Sequence, residues 1–275
     1  NYDKWCDGFD LLETLIVITE EIGSQYNDEH RPRAVAESDY VFEALITLHA
    51  RMILTAKEIL SLMKSGFADG AQARWRSLHE VAVTAAFIRK HGLKVALRYL
   101  RSYRVQSYKA IKQCNEYAKR ADLEPFSDEE VKSSRLEYEN IIKEYGEEMK
   151  TDYGWATSAL NIKSPRLFDL EKSTGLDHWR PRYKWATHYI HPNYKPPSTY
   201  LGMVGTIEEG LIVGPSDAGF VDPAHQTAIT LNIGTGALLH PHMRNDYLVL
   251  LPILTAISDE IGSVFSSVHR RDSNT

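Results

Sequence analysis

Cysteine is scarce: Cys6 and Cys114 are the two in a chain of 275 residues, and they form no C-x2-C pair. Their scarcity argues against a disulfide framework and a zinc knuckle, and fits a reducing compartment, the cytoplasm, with each thiol used for packing. Long apolar runs are lacking too. The most apolar stretch, Leu248 to Ile257, is ten residues long and is interrupted by Pro252, against the roughly 20 that a membrane helix needs. The opening residues carry Lys4 but also Asp3, Asp7 and Asp10, so they do not read as a signal peptide. A soluble protein with no membrane contact is expected. Positive charge is in deficit, with 32 Lys and Arg against 37 Asp and Glu for a net charge of -5. Nothing therefore draws the whole molecule to phosphate backbones, and a nucleic-acid contact would need a local basic patch. The sequence has no glycine-rich phosphate loop, serine nucleophile elbow, dinucleotide fingerprint or H-E-x2-H pair, which leaves nucleotide-dependent, esterase and dehydrogenase readings without support.

What the chain does contain is helical periodicity, with 43% hydrophobic residues, enough for one substantial core. Leu11, Leu12, Leu15, Ile16 and Ile22 recur at helical spacing from Gly8, Gly23 offers a stop, and residues 24–33 read as a solvated loop. A long helix is predicted over about 34–64, with Val41, Leu45, Leu48, Met52, Thr55, Ile59 and Leu62 along one stripe. Gly66 ends it in a left-handed conformation, and Asp69 is placed to cap a second helix over about 69–91 whose Leu78, Val81, Ala82, Ala85 and Ala86 form a small-residue face. A third helix, 93–119, has a basic side of Arg98, Arg101, Arg104, Lys109 and Lys112, which reads as a solvated face and is also the best local phosphate-binding candidate. Ser127 followed by Asp128, Glu129 and Glu130 signals a helix over about 128–148, charged enough to stand exposed and away from the core. Shorter helices are predicted over 166–173 and 179–191, the latter helped by Pro181 and stopped by Pro192. A small β-hairpin follows near 200–213, then a helix over 222–239 and a last helix over 246–268 capped by Asn245. Residues 270–275 read as a disordered tail. The fold class is all-α, a helical bundle built on the 34–64 and 69–91 antiparallel hairpin. It forms a single helical domain over 1–269, with a core over 8–120, the exposed helix, and a C-terminal helical part over 150–268.

Two stretches carry strong polar side chains inside this apolar pattern. The helix that follows Gly66 begins with Arg74, Arg76, His79 and Glu80. Arg76 and Glu80 are four residues apart and can pair, whereas Arg74 and His79 sit roughly 140° apart around the axis. Later in the chain, Lys184, His188 and His191 fall at i, i+4 and i+7, with Arg182 before them. If the two faces meet across a cleft, Arg76, His79, Glu80, Lys184, His188 and His191 are the catalytic candidates, and Arg74, Arg182, Tyr153 and Trp155 are candidates for substrate binding. Metal-independent cleavage of RNA needs a base for the ribose 2'-hydroxyl, an acid for the leaving oxygen and a cation for the crowded phosphorane. Histidine, with an ordinary pKa of about 6.5, suits the first two roles, and arginine suits the third because its planar fork grips phosphate while staying charged. Two competing readings remain open. Arg76 and Glu80 form a buried bridge that fixes the hairpin, and His188 and His191 solvate the end of a short helix. A zinc site made of both histidines and a carboxylate such as Glu80 is a further option, opposed by the neighbouring Lys184; no metal or cofactor is expected.

The string Gly66-Phe67-Ala68-Asp69-Gly70-Ala71, followed by Arg74-Trp75-Arg76-Ser77-Leu78-His79-Glu80, resembles the signature of the bacterial DUF5677 family, whose activity is uncharacterised. Glu58-Ile59-Leu60-Ser61-Leu62, Tyr153-Gly154-Trp155-Ala156, Tyr183-Lys184-Trp185-Ala186 with His188 and His191, Gly214-Pro215-Ser216 and Asp222-Pro223 extend the likeness over roughly residues 8 to 240. Arg74-x4-His79 and Arg182-x5-His188 are also similar to the arginine and histidine spacing of the HEPN superfamily of helical ribonucleases. That resemblance implies an endoribonuclease acting as a toxin or phage-defence effector, with RNA as substrate and its site commonly assembled at a homodimer interface. The other reading is a non-catalytic helical binding or sensor module, a partner of some effector, whose Arg/His/Glu cluster is a structural ion-pair network.

Overall fold

In the computed structural model, which describes residues 2–192, 194–204, 212–239 and 245–272, every regular element is helical and no strand forms among the described residues. Helix α1, Tyr2–Glu37, runs straight through the expected stop at Gly23 and the expected loop at 24–33. Gly23 is a packing residue: a Cβ there would lie 2.5 Å from His49 Nδ1, so its hydrogen lets two helices approach closely. The polar stretch stays helical because it has partners. Arg31 donates to Asn27 Oδ1 at 2.8 Å and to Glu43 Oε1 at 2.7 Å, Arg33 pairs with Glu37, and Tyr26 is buried against Phe42. The chain breaks later than expected, at Ser38 with φ of 55° and at Asp39, whose carboxylate accepts from the Val41 and Phe42 N–H groups to start α2, Tyr40–Lys64.

Gly66, with φ of 87°, turns the chain from α2 into α3, Ala68–His91. It is required on two counts, since a Cβ would also lie 2.5 Å from Pro215 Cβ, and the Gly66 carbonyl accepts from Ser216 N–H at 2.9 Å. Asp69 does not cap α3. Its two carboxylate oxygens accept from the Leu201 and Gly202 N–H groups at 2.9 and 3.1 Å, tying the later loop to the start of the helix. Helices α2 and α3 pack along each other more extensively than any other pair of described elements.

Helix α4, Leu93–Ala121, and α5, Asp128–Tyr145, lie together, α5 opening with the Ser127 and Glu130 capping box. Rather than standing away, α5 rests on α4 through the Tyr108 and Tyr138 rings, 4.7 Å apart, and buried Ile141. Nor is the α4 basic side wholly solvated. Arg98 is 4% exposed and donates to the carbonyls of Tyr145, Gly154 and Trp155 and to Glu148, clamping the connection after α5. Short helices α6, Thr157–Leu160, α7, Leu167–Thr174, and α8, Arg180–Thr187, follow. Helix α8 ends before the two histidines expected within it; His188 is its cap and His191 lies in the following turns.

Where the hairpin near 200–213 was expected, Leu201–Met203 instead forms one tight 3-10 turn held by Asp69, and 205–211 lie outside the described residues. Helix α9, Val221–Leu239, and α10, Asn245–Asp272, complete the bundle, packing on each other and on α1. The expected tail is helical to Asp272, and 273–275 lie outside the described residues. One core runs through α1, α2, α3, α9 and α10, with Trp5, Leu12, Met52, Trp75, Leu231 and Phe265 at its centre.

Candidate functional site

The outer face of α3 meets α8 at Tyr183. Arg76 Nη2 lies 3.1 Å from Glu80 Oε1 one turn along the same helix, and the Tyr183 hydroxyl donates to that oxygen at 2.6 Å. The guanidinium groups of Arg76 and Arg180 each lie over the Tyr183 ring, 4.9 Å from its centroid. Burial, with the Glu80 carboxylate adding to it, pushes the Tyr183 phenol up to about 12, so it is a hydrogen-bond donor at neutral pH and not a base. Tyr153 is raised as well, chiefly by burial. These groups face a cleft of about 580 Å³. Arg51 of α2, Arg166 and Arg180 join Arg76 in lining it, against the carboxylates Glu80 and Asp152. Four guanidinium groups against Glu80 and Asp152, with Glu171 engaging Arg180 from below, leave the cleft with an excess of cationic groups that can hold an anion.

Beneath the cleft is a buried network. Glu171 of α7 has no exposed surface, and its Oε1 lies 3.0 Å from His79 Nε2 and 3.3 Å from Arg180 Nη1. The His79 ring is 1% exposed and sits between Trp75 and Tyr183, with centroids 5.4 and 5.7 Å away. Trp75 in turn donates to Thr230 Oγ1 of α9 at 3.0 Å. The network therefore anchors the Arg180 side of the cleft to the core.

The sequence candidates are distributed over several places. Arg76, Glu80, Tyr153 and Trp155 line the cleft, Trp155 as a nearly buried wall packed edge-on against Phe87 and Tyr99. His79 lies under it. Arg74 is turned away and pairs with Glu58 of α2. Arg182 and His188 line a second cavity of about 490 Å³ that shares no residue with the first. Lys184 and His191 are exposed and line neither. A single cleft uniting these residues with Arg76 is not what forms, because successive helical residues point about 100° apart and the α8 face turned to α3 carries Arg180 and Tyr183. Sequence reasoning missed those two, along with Arg51, Arg166 and Glu171. For Arg180 and Tyr183 a signal exists, their i, i+3 spacing on the first turns of a helix; Arg51 and Arg166 reach the cleft only through tertiary packing. Among the described residues no three of His, Cys, Asp and Glu come together as a metal would require.

A family model described as a family of unknown function, DUF5677, matches residues 42–206. No curated protein matches the chain, and no solved structure does. Every residue that lines the arginine cleft falls inside the matched span, whereas Asp222 and Gln226 of the second cavity lie beyond it. With more than half of its length matched, the chain belongs to the DUF5677 family.

Proposed function

We propose that this protein is a soluble, cytoplasmic helical binding module that captures a phosphate-bearing ligand in the arginine cleft. The observation that carries the reading is the convergence of Arg51, Arg76, Arg166 and Arg180 on one cleft. A lone carboxylate has two oxygens and is satisfied by one guanidinium fork, whereas a phosphate group, or two in succession, can use several. The buried His79 and Glu171 pair serves the site from below by holding Arg180, which gives that part of the cluster a structural role. Calorimetric titration with pyrophosphate tests the reading. Arg76→Gln is expected to weaken binding by about tenfold or more, the loss of one charge-assisted contact, with affinity falling as salt rises. Arg74→Gln, already tied to Glu58, is the control expected to change nothing. Equal affinity in wild type and Arg76→Gln would remove the cleft as the site.

A second reading is a HEPN-like ribonuclease, a toxin or defence effector that acts as a homodimer on RNA. It is favoured by one observation: Arg182 and His188, spaced as in that superfamily, line the same cavity and are both exposed. Histidine would move the proton and arginine would hold the phosphate. The test is RNA cleavage with chelator present. Loss of activity in His188→Ala and Arg182→Ala, with Arg76→Gln unaffected, is the result this reading expects, and no cleavage by wild type dismisses it.

A further inference from the structure

The second cavity contains polar atoms whose needs the protein itself does not meet. Gln72 of α3 and Gln226 of α9 line it and are each 4% exposed. Gln72 Nε2 donates to Gln226 Oε1 at 2.9 Å, and Gln72 Oε1, buried, accepts from nothing. Two carboxamides joined by one hydrogen bond leave one carbonyl oxygen and one whole NH2 group unused by the pair, whichever way round the amides are set. An unmet buried acceptor is costly, so the pair matches a ligand edge that carries a donor beside an acceptor.

The remaining walls supply a second and a third requirement. The Lys195 ammonium is buried, makes no hydrogen bond, and is held over the rings of Tyr189 and Tyr200, 3.4 and 4.5 Å from their centroids. Burial lowers its pKa, and the Asp69 charge pulls it partly back. Arg182 and His188 line the same space together with one carboxylate, Asp222, so an anionic group has cationic and N–H partners there. Trp185 and Tyr194, 67% and 89% exposed, line the same cavity and bring aromatic rings on which a flat base can stack. A flat ring with a donor and acceptor edge, carrying an anion, satisfies all three requirements, and about 490 Å³ lies within the usual range for a small-molecule site.

We propose that this cavity binds a nucleoside phosphate, with the base edge on Gln72 and Gln226 and the phosphate on Arg182 and Lys195. The ligand is either a free nucleotide or a nucleotide of RNA. The inference shares its cavity with the ribonuclease reading but requires binding only, so nucleotide binding without RNA cleavage keeps it and removes the nuclease. It is independent of the arginine cleft, and Arg76→Gln should leave it intact.

The test is calorimetric titration of the full chain with each of the four ribonucleoside monophosphates, a short oligoribonucleotide, ribose 5-phosphate and the parent nucleosides. At least one monophosphate is expected to bind about tenfold or more tightly than both its nucleoside and ribose 5-phosphate, because each half alone loses one set of contacts. Lys195→Met and Arg182→Ala should weaken the nucleotide by about tenfold while leaving the nucleoside unchanged. Gln226→Leu should bring the nucleotide down to the affinity of ribose 5-phosphate; thermal unfolding checks that it folds, and if it does not, Lys195→Met carries the test alone. Tighter binding of the oligoribonucleotide than of any monophosphate assigns the site to RNA, and the reverse assigns it to free nucleotide. Binding by none of these ligands, ribose 5-phosphate equal to every nucleotide, or no effect of Lys195→Met would overturn the proposal.

Discussion

Tyr183 places Glu80 where it can hold Arg76, because its hydroxyl and the Arg76 guanidinium share one carboxylate oxygen. Tyr183→Phe keeps the ring that both arginines cover and removes only the hydrogen bond. It should weaken pyrophosphate binding severalfold, about 1 kcal/mol, with an unchanged circular dichroism spectrum. Glu171 has a larger structural stake. Glu171→Ala leaves His79 and Arg180 facing a space with no carboxylate, and should destabilise the fold by about 3 kcal/mol in urea unfolding. His49 carries a pH signature. Burial pushes its pKa down to about 4, so the folded protein holds the ring neutral, hydrogen-bonded to Thr235 Oγ1 at 3.2 Å. In the unfolded chain the ring titrates near its ordinary value of about 6.5. Between those values the unfolded state binds more protons, so stability present above about pH 6.5 is lost as pH falls towards 4, by up to about 3 kcal/mol. Urea midpoints measured at both ends of that window should show the loss in wild type and much less of it in His49→Asn. At this scale Arg76 and Glu80 are legible in the sequence, since a spacing of four decides their pairing whatever surrounds them. Arg74 and His79 are not, because only the packing of Glu58 and Glu171 decides which way each is committed.

Helices are read well from sequence where their signals are local. The Gly66 turn and the Ser127 capping box form where expected, because left-handed geometry and caps depend on the residue and its near neighbours. Gly66→Ala makes the first of these testable at the element scale. The substitution combines a positive φ with a Cβ 2.5 Å from Pro215 and 2.9 Å from the Ser216 carbonyl oxygen. It should cost about 2–3 kcal/mol and loosen the loop over α3, seen as faster amide exchange at Ser216, whose N–H donates to Gly66. Elements are misread where long-range contacts override local cues. Gly23 looks like a stop but serves the approach of His49, Asp69 looks like a cap but binds the 201–202 backbone, and Arg98 looks solvated but is buried among carbonyls. Helix α8 is the consequential case, since its polar residues point to several sides and the sequence ranks Lys184, His188 and His191 over the pair that faces α3.

The whole molecule is an all-α protein in which the arginine cleft and the second cavity lie on different sides of α8, the first inside the span shared with its family and the second reaching into α9. Helix α10 adds a feature that the interruption at Pro252 conceals. Its residues 246–271 are long and apolar enough, by length and composition, to cross a membrane. Leu254, Ile261 and Phe265 are nevertheless buried in the bundle, while Leu248, Val249 and Ile253 are exposed. The overall charge of -5 says little about either cavity, because the arginines of the cleft come from α2, α3, the start of α7 and α8, and meet only in the folded chain. The central claim is that this convergence makes an oxyanion site. It is tested most directly by locating tungstate, a heavy oxyanion, from its anomalous signal in crystals of the protein. The account predicts a peak within hydrogen-bond distance of Arg76 and Arg180, lost in Arg76→Gln; tungstate bound elsewhere while that cleft stays without a peak would contradict it.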